Sequence, residues 1–327
     1  MRKIKAVSPT SLHLWETDRE AFFKKYLADI KPTPIPQTEA MAVGSAFDAY
    51  VKAWMYEKLF GNNGDGEYSL VHLLETQVDK DVLPFATEAG LHCFDCYWKS
   101  GLAQDLLKDM EGSREDPRFE FTLTGTIGGI PLIGKPDMWY FKGCDVVLDW
   151  KVMGYCSKHA QSPKKFYKTC RDTWSETEAK PTRGFKDGVV KAHKAYEEME
   201  YCGHKIGSHW LEDTDKRWAD QISIYSWMLG LDVGEENVVT CIDQLACKPS
   251  DGRPLIRVAQ HRCRISAFWQ HSLMGRLQDM WDTLGSGHIF DDLSREDSDA
   301  QCEVMNMPQP EETDDLWAMV NERQYRG

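Results

Sequence analysis

Glu120, Asp137, Asp149 and Lys151 fall within one stretch, Phe119 to Val152, that reads FEFTLTGTIGGIPLIGKPDMWYFKGCDVVLDWKV. Carboxylates are the donors that hard divalent cations take, and a lysine among them puts positive charge where negative charge gathers. Whether they can act together depends on the elements that carry them. Gly128-Gly129 and the Lys142-Gly143-Cys144 region are turn candidates, because glycine supplies the positive φ of short hairpin loops. The flanking runs are rich in Ile, Leu, Val, Phe, Trp, Tyr and Thr, as suits half-buried strands. Three strands joined by two tight turns are expected.

Register follows by counting. A two-residue loop at Gly128-Gly129 sets Glu120 opposite Asp137, and a three-residue loop from Lys142 to Cys144 sets Asp137 opposite Asp149. Opposed residues share a face with Cβ atoms roughly 5 Å apart, and Lys151, two along from Asp149, points the same way. Three carboxylates and a lysine then converge on one patch. Opposed like charges destabilise a sheet. Two readings resolve the conflict: a bound magnesium or manganese ion, or a solvated polar face whose acids keep the chain soluble. Pro136 lacks a ladder donor and marks an edge or bulge beside Asp137.

The formal net charge of −13 over 327 residues excludes a protein that coats nucleic acid with its whole surface, but not a basic channel on an acidic body. No run of apolar residues approaches the length of a membrane span, and no apolar leader opens the chain, so a cytoplasmic protein with no membrane partner is expected. Cys93 and Cys96, in HCFDC, are the one close C-x-x-C pair among ten cysteines. Cys202 and His204 could complete a zinc site with them; the other reading is buried, reduced thiols.

Ser8-Pro9 opens a helix, which the proline-rich Lys31 to Gln37 ends. Further helices are expected over Glu39 to Phe60, Ser69 to Asp79 and Thr87 to Met110. The last would carry Leu91, Phe94, Trp98, Leu102 and Leu106 as a core stripe. Beyond Met153 the charge reverses: Lys158 to Lys194 holds ten Lys or Arg against four acids. Phe166, Tyr167, Trp174 and Phe185 are interleaved with that charge. This composition suits a segment that follows a phosphate backbone and stacks on bases, with Lys158, Lys164, Lys165, Lys168, Arg171, Lys180 and Arg183 as candidate DNA contacts. A solvated insertion is the alternative. A helix over Asp215 to Leu229, strands over Asn237 to Cys247 and Pro254 to Cys263, and a helix from Ser266 to Leu284 follow. The tail from Asp291 carries eleven acids against three arginines and is expected to be flexible or weakly helical.

The expected fold is α/β, with a central mixed sheet flanked by helices and a helical N-terminal part. Residues 1–290 are expected to form one domain, with 1–117 its helical part, about 153–200 a basic insertion and 291–327 an acidic tail.

Gly134-Lys135-Pro136-Asp137 followed by Leu148-Asp149-Trp150-Lys151 resembles the motif of the PD-(D/E)XK nuclease superfamily, and most closely its RecB-type exonuclease branch. The opening SPTSLHLWETDREAFFKKYL is similar to the serine-initiated helix of that branch. Gln221 and Tyr225 match its Q-x-x-x-Y motif, and GSAFDAYV resembles its G-[ST]-x-x-H motif with Asp48 where histidine usually stands. The resemblance spans Ser8 to about Leu229. It implies a restriction-endonuclease-like core and a deoxyribonuclease, most often an exonuclease on linear DNA in recombination, repair or phage replication. Asp137 and Asp149 would hold one or two Mg2+ or Mn2+ ions with Glu120 and Asp48, Lys151 would act beside them, and Gln221 and Tyr225 would position the strand. Expected partners are single- or double-stranded linear DNA ends, a single-strand annealing or recombination protein, and further copies of the chain, in a bacterial or phage-infected cell. Branch members with an iron–sulfur cluster carry one early cysteine and three near the C-terminus. The early helix here has none and the tail only Cys302, so no cluster is expected. An inactive nucleic-acid-binding or accessory protein on the same fold is the alternative.

Overall fold

Side-chain caps set where most helices of the N-terminal part begin. The computed structural model describes residues 2–30, 32–33, 35–61, 64, 66–153, 167–170, 185–186, 189–190, 197–235, 238–248, 255–290 and 293–306. Helix α1 (Pro9–Thr17) starts at a capping box of Ser8 and Ser11, α2 (Arg19–Phe22) at an Asp18 cap, and one π turn, Phe23–Leu27, closes the pair. Thr38 caps α3 (Glu39–Phe60) and Ser69 caps α4 (Leu70–Gln77).

The single helix expected from Thr87 to Met110 is two, α5 (Leu83–Lys99) and α6 (Leu102–Glu111), with Gly101 at φ +87° turning the chain between them. The expected stripe is also displaced. Leu91 and Trp98 are 42% and 46% exposed, whereas α5 buries Ala86, Ala89, Gly90, Cys93, Cys96 and Tyr97. The small residues decide the face, because α5 crosses α3 at close range. A Cβ on Gly90 would come within 2.6 Å of the Ala46 Cβ and 2.8 Å of the Phe47 nitrogen.

The strands that follow are β1 (Arg118–Phe119), β2 (Leu123–Ile127), β3 (Ile130–Gly134), β4 (Met138–Lys142) and β5 (Cys144–Met153). Their registers are those counted from the turns. Leu123 pairs with Gly134, Phe119 with Met138, and Met138 with Leu148. Gly128 and Gly129 both have positive φ, 55° and 83°, as a type I′ turn requires. Three continuous strands do not form, however. The ladder breaks around Glu120, which is left-handed at φ +45°, and around Pro136. Strands β2 and β3 make a sheet of their own, while β1, β4 and β5 join the large one.

Next come β6 (Tyr167–Cys170), β7 (Phe185–Lys186), β8 (Val189–Val190), the hairpin β9 (Glu198–Tyr201) and β10 (His204–Gly207), and α7 (Leu211–Thr214). Helix α8 (Lys216–Met228), β11 (Val238–Lys248), β12 (Leu255–Cys263), α9 (Ala267–Ser286) and α10 (Arg295–Met305) complete the order. The large sheet runs β1-β4-β5-β11-β12-β6, extended by β8 and β7. Strand β11 is parallel to β5 and antiparallel to β12, so the sheet is mixed. The fold is α/β, as expected from the element order.

Strand alternation sorts the side chains of the sheet. Val146, Leu148 and Trp150 pack with Val43, Phe47, Tyr97 and Leu106 of the N-terminal helices. Trp139, Val147 and Ile242 pack on the other face with Trp218, Ile222 and Tyr225 of α8. Asp149 and Lys151 share the parity of Val147 and so lie on the α8 face. A third apolar cluster joins α1, β3, α8 and α9 and takes in Cys302 and Met305 of α10. The described part of the acidic tail is therefore a helix docked on the body.

Among the described residues, the cysteines do not assemble a zinc site. Cys93 and Cys96 are buried in the core under α3, whereas Cys202 and His204 lie on the β9–β10 hairpin, where His204 Nε2 is bonded to the Lys142 carbonyl at 2.7 Å. Among the described residues, no helix is long and apolar enough to cross a membrane.

Because overpacking a close crossing costs about 1–3 kcal/mol, Gly90→Val is expected to lower unfolding stability by that amount, read as a lower urea midpoint at unchanged slope.

Candidate active site

The acidic patch lies where α3, the breaks flanking the β2–β3 hairpin, the second half of β5 and α8 meet. Register places Asp137 opposite Asp149, one position beyond the Met138–Leu148 pair. The Trp150 backbone nitrogen donates to Asp137 Oδ2 at 2.8 Å, and the Glu120 nitrogen donates to the Asp137 carbonyl at 3.1 Å. The pairing of Glu120 with Asp137 thus survives the break. Its backbone, however, sits in the left-handed region, which a non-glycine residue reaches at a cost of about 1–3 kcal/mol.

Asp149 is 2% exposed. Gln221 Nε2 donates to its Oδ1 at 2.9 Å, and its Oδ2 is ion-paired with the Lys151 ammonium but buried without a well-directed hydrogen bond. Gln221 Nε2 also donates to the Tyr225 hydroxyl at 2.9 Å, and that hydroxyl donates to the Lys135 carbonyl at 3.2 Å. Gly134 makes room for this, since a Cβ there would stand 2.5 Å from Tyr225 Cε1. Gln221 and Tyr225, one turn apart on α8, are thereby fastened to both carriers of the acids, β5 and the chain before β4.

Lys52 is the site residue that sequence reading missed. It is fully buried on α3, ion-paired with Asp48 one turn before it and with Glu120 across the site. The one available signal was the spacing of Asp48 and Lys52 in DAYVK, where acid and lysine four apart share a helix face. Glu120 is held also by Lys135 at 3.1 Å. The Gln77 amide reaches Glu120 at 3.3 Å in one orientation, and the Ser45 carbonyl and Asp48 at 3.2 and 3.3 Å in the other.

Burial, then the Asp149 carboxylate, pushes the Asp137 carboxyl well above its usual range, with Lys52 and Lys151 opposing. Burial raises Asp48 to about 6 despite Lys52, with Glu120 and Asp149 adding to the rise. Glu120 is also buried, but Lys52 and Lys135 outweigh that and hold it below its usual value. For Lys52 and Lys151 burial works against the ammonium, yet the surrounding carboxylates raise both above the ordinary lysine value. Both lysines stay charged.

The donor set suits a hard divalent cation: carboxylate oxygens, two of them on residues whose charge is under strain, and the Asp149 Oδ2 free of a directed donor. Among the described residues, though, no three acids, histidines or cysteines stand as a ready-made ligand group. Lysine ammoniums lie between the carboxylates instead.

The basic segment is divided. Lys158, Lys164, Lys165, Arg171, Lys180 and Arg183 lie outside the described residues. Lys168 faces away from the acids: it pairs with Val258, a core residue on the helical side, and its ammonium is bonded to the Ser100 carbonyl at the α5–α6 break. The strand period puts its neighbour Tyr167 on the site face, at the end of a row from Lys151 through Gln244 and Ala259. Arg257 lies 4.4 Å over the Tyr167 ring. In the parallel row, Asp149, Ile242 and His261 are neighbours.

No family model matches the chain, and no curated protein sequence matches it significantly. A solved structure from Eubacterium rectale, described as "Putative exonuclease", aligns over 94% of this chain and 91% of its own at 13% identity, with a TM-score of 0.42.

Tyr225→Phe removes the hydroxyl that links Gln221 to the Lys135 carbonyl and should cost about 1 kcal/mol in urea unfolding, with the Asp149–Gln221 contact loosened. His261 is lowered to about 4 by burial and then by nearby His209, so it stays neutral in the fold. The unfolded chain takes up a proton near pH 6.5 and the fold does not, so stability falls as pH drops from about 6.5 to about 4, by about 3 kcal/mol at most. His261→Gln should flatten that part of the unfolding pH profile measured against wild type.

Proposed function

We propose that this protein is a metal-dependent deoxyribonuclease, an exonuclease acting on linear DNA, with Asp137, Asp149 and Lys151 at its centre. The observation that carries the reading is the hydrogen bond from Gln221 to Asp149. It joins two motifs that the sequence holds far apart, and it fits a site in which α8 sets the orientation of the carboxylate on β5.

A divalent cation between Asp137 and Asp149 would supply electrostatic stabilisation of the phosphate and lower the pKa of attacking water. The other roles belong to the chain. Gln221, fixed by Tyr225, takes up one oxygen of Asp149 and leaves the other for Lys151 and the cation. Lys151 stays protonated against Asp149 and Asp137, so it acts by charge, steadying the extra negative charge of the reacting phosphate, and not as a proton acceptor. Tyr167, at the end of the row that starts at Lys151, is placed to stack on a base of the bound strand.

One observation favours a second reading, a DNA-binding protein on this fold that does not cleave. The lysines already neutralise much of the acidic patch, and no ligand group is ready-made among the described residues. The two readings separate in one assay. Purified protein with Mg2+ or Mn2+ should degrade end-labelled linear DNA and leave covalently closed circles intact. Asp149→Asn and Lys151→Ala should each reduce the rate by about 100-fold or more at unchanged circular dichroism, as loss of an electrostatic centre does. Binding of DNA without metal-dependent cleavage by wild type would select the second reading.

A further inference from the structure

The acidic patch divides into two halves of different charge. One half is Asp48 and Glu120. Lys52 is ion-paired with both, and Lys135 lies 3.1 Å from Glu120, so two acids face two ammoniums. The other half is Asp137 and Asp149. Lys151 is its ion-paired lysine, and Lys52 also attracts Asp137 but without an ion pair among the described residues; Asp137 accepts a backbone hydrogen bond on Oδ2, and the Asp149 Oδ2 is buried without a directed donor. The first half is neutral; the second keeps a net negative charge when both acids are ionised.

We infer that Lys52 serves as a built-in cation, so that the site takes one divalent ion, between Asp137 and Asp149, and that Asp48 and Glu120 hold Lys52 and not metal. This rests on the metal-dependent reading above and narrows it. Three features carry it. Lys52 is fully buried, and an ammonium is buried only where opposite charge surrounds it, which ties its presence to these acids. It comes from a different element than Glu120, so the contact is set by the fold and is more than a local helix pair. A divalent ion on Asp48 and Glu120 would have to displace a fully enclosed ammonium from both of its ion pairs and leave it only the attraction of Asp137, a charge that a cation between Asp137 and Asp149 also takes up. Lys52 is a positioning residue: it touches the acids and reaches the reaction through them.

The test is an ion count, which does not depend on DNA cleavage. Mn2+ is titrated into the full-length protein by isothermal calorimetry, with free Mn2+ followed by electron paramagnetic resonance. Wild type is expected to bind one ion per chain. Lys52→Gln removes the ammonium and should bind two, with a thermal midpoint that drops without metal and recovers as Mn2+ is added. Lys52→Arg keeps the charge and should still bind one. Two ions in wild type or in Lys52→Arg would overturn the inference, as would a single ion in a folded Lys52→Gln. If Lys52→Gln does not fold, the counts for wild type and Lys52→Arg decide. A wild type that binds no Mn2+ at millimolar concentration would overturn the metal-dependent function itself, a result distinct from a count of two.

Discussion

Four carboxylates brought together out of water have to be offset by positive charge in the same place. An isolated buried carboxylate carries a desolvation cost large enough that it tends to take up a proton instead, and like charges side by side compound the cost. The surroundings of Asp48, Glu120, Asp137 and Asp149 answer to that constraint. Lys52 on α3, Lys135 in the break between β3 and β4, and Lys151 on β5 each contact an acid. The left-handed turn at Glu120 and the interruption at Pro136 aim two of the acids inward, at the expense of a continuous ladder.

The sheet divides the chemistry from the bulk of the core. Strand β5 turns Val146, Leu148 and Trp150 toward the N-terminal helices and Asp149 and Lys151 toward α8. Its inner positions carry the packing that holds the strand in place, so the outer positions are free to be polar. Asp243 on β11 is a carboxylate that faces the apolar side near the strand centre; Tyr97 and Gln260 donate to it, at 2.5 and 3.0 Å, and burial raises its pKa. A polar group there is tolerated because each of its oxygens is bonded.

Much of this was legible in the sequence where the determinants are local. Ser8 and Ser266 cap the helices they precede, the starts read at Glu39, Ser69 and Asp215 lie within one residue of those formed, and two glycine turns set strand registers that stayed in phase across a broken ladder. What the sequence did not yield depends on contacts between distant segments. The apolar residues of α5 suggested one stripe, but Gly90 and Ala86 allow a close crossing with α3 and turn Leu91 and Trp98 outward. Lys52 reads as an ordinary helix lysine until Glu120 is placed against it. Lys168 counted as one more positive charge in a basic run, whereas the pairing of β6 with β12 sends it to the helical side. The acids Asp137 and Asp149 could be placed together because a single hairpin carries both.

The parallel pairing of β5 with β11 has a consequence in time. Parallel neighbours cannot be joined by a tight turn, and here the connection includes α8, the helix that carries Gln221 and Tyr225. On a chain leaving the ribosome, Lys52 can meet Asp48 and Glu120 well before that helix has been made. The electrically balanced half of the patch is thus complete early. The half that remains negative gains its last fastening only when the crossover closes, so a nascent or truncated chain ending before α8 would hold Asp149 without the Gln221 hydrogen bond that orients it.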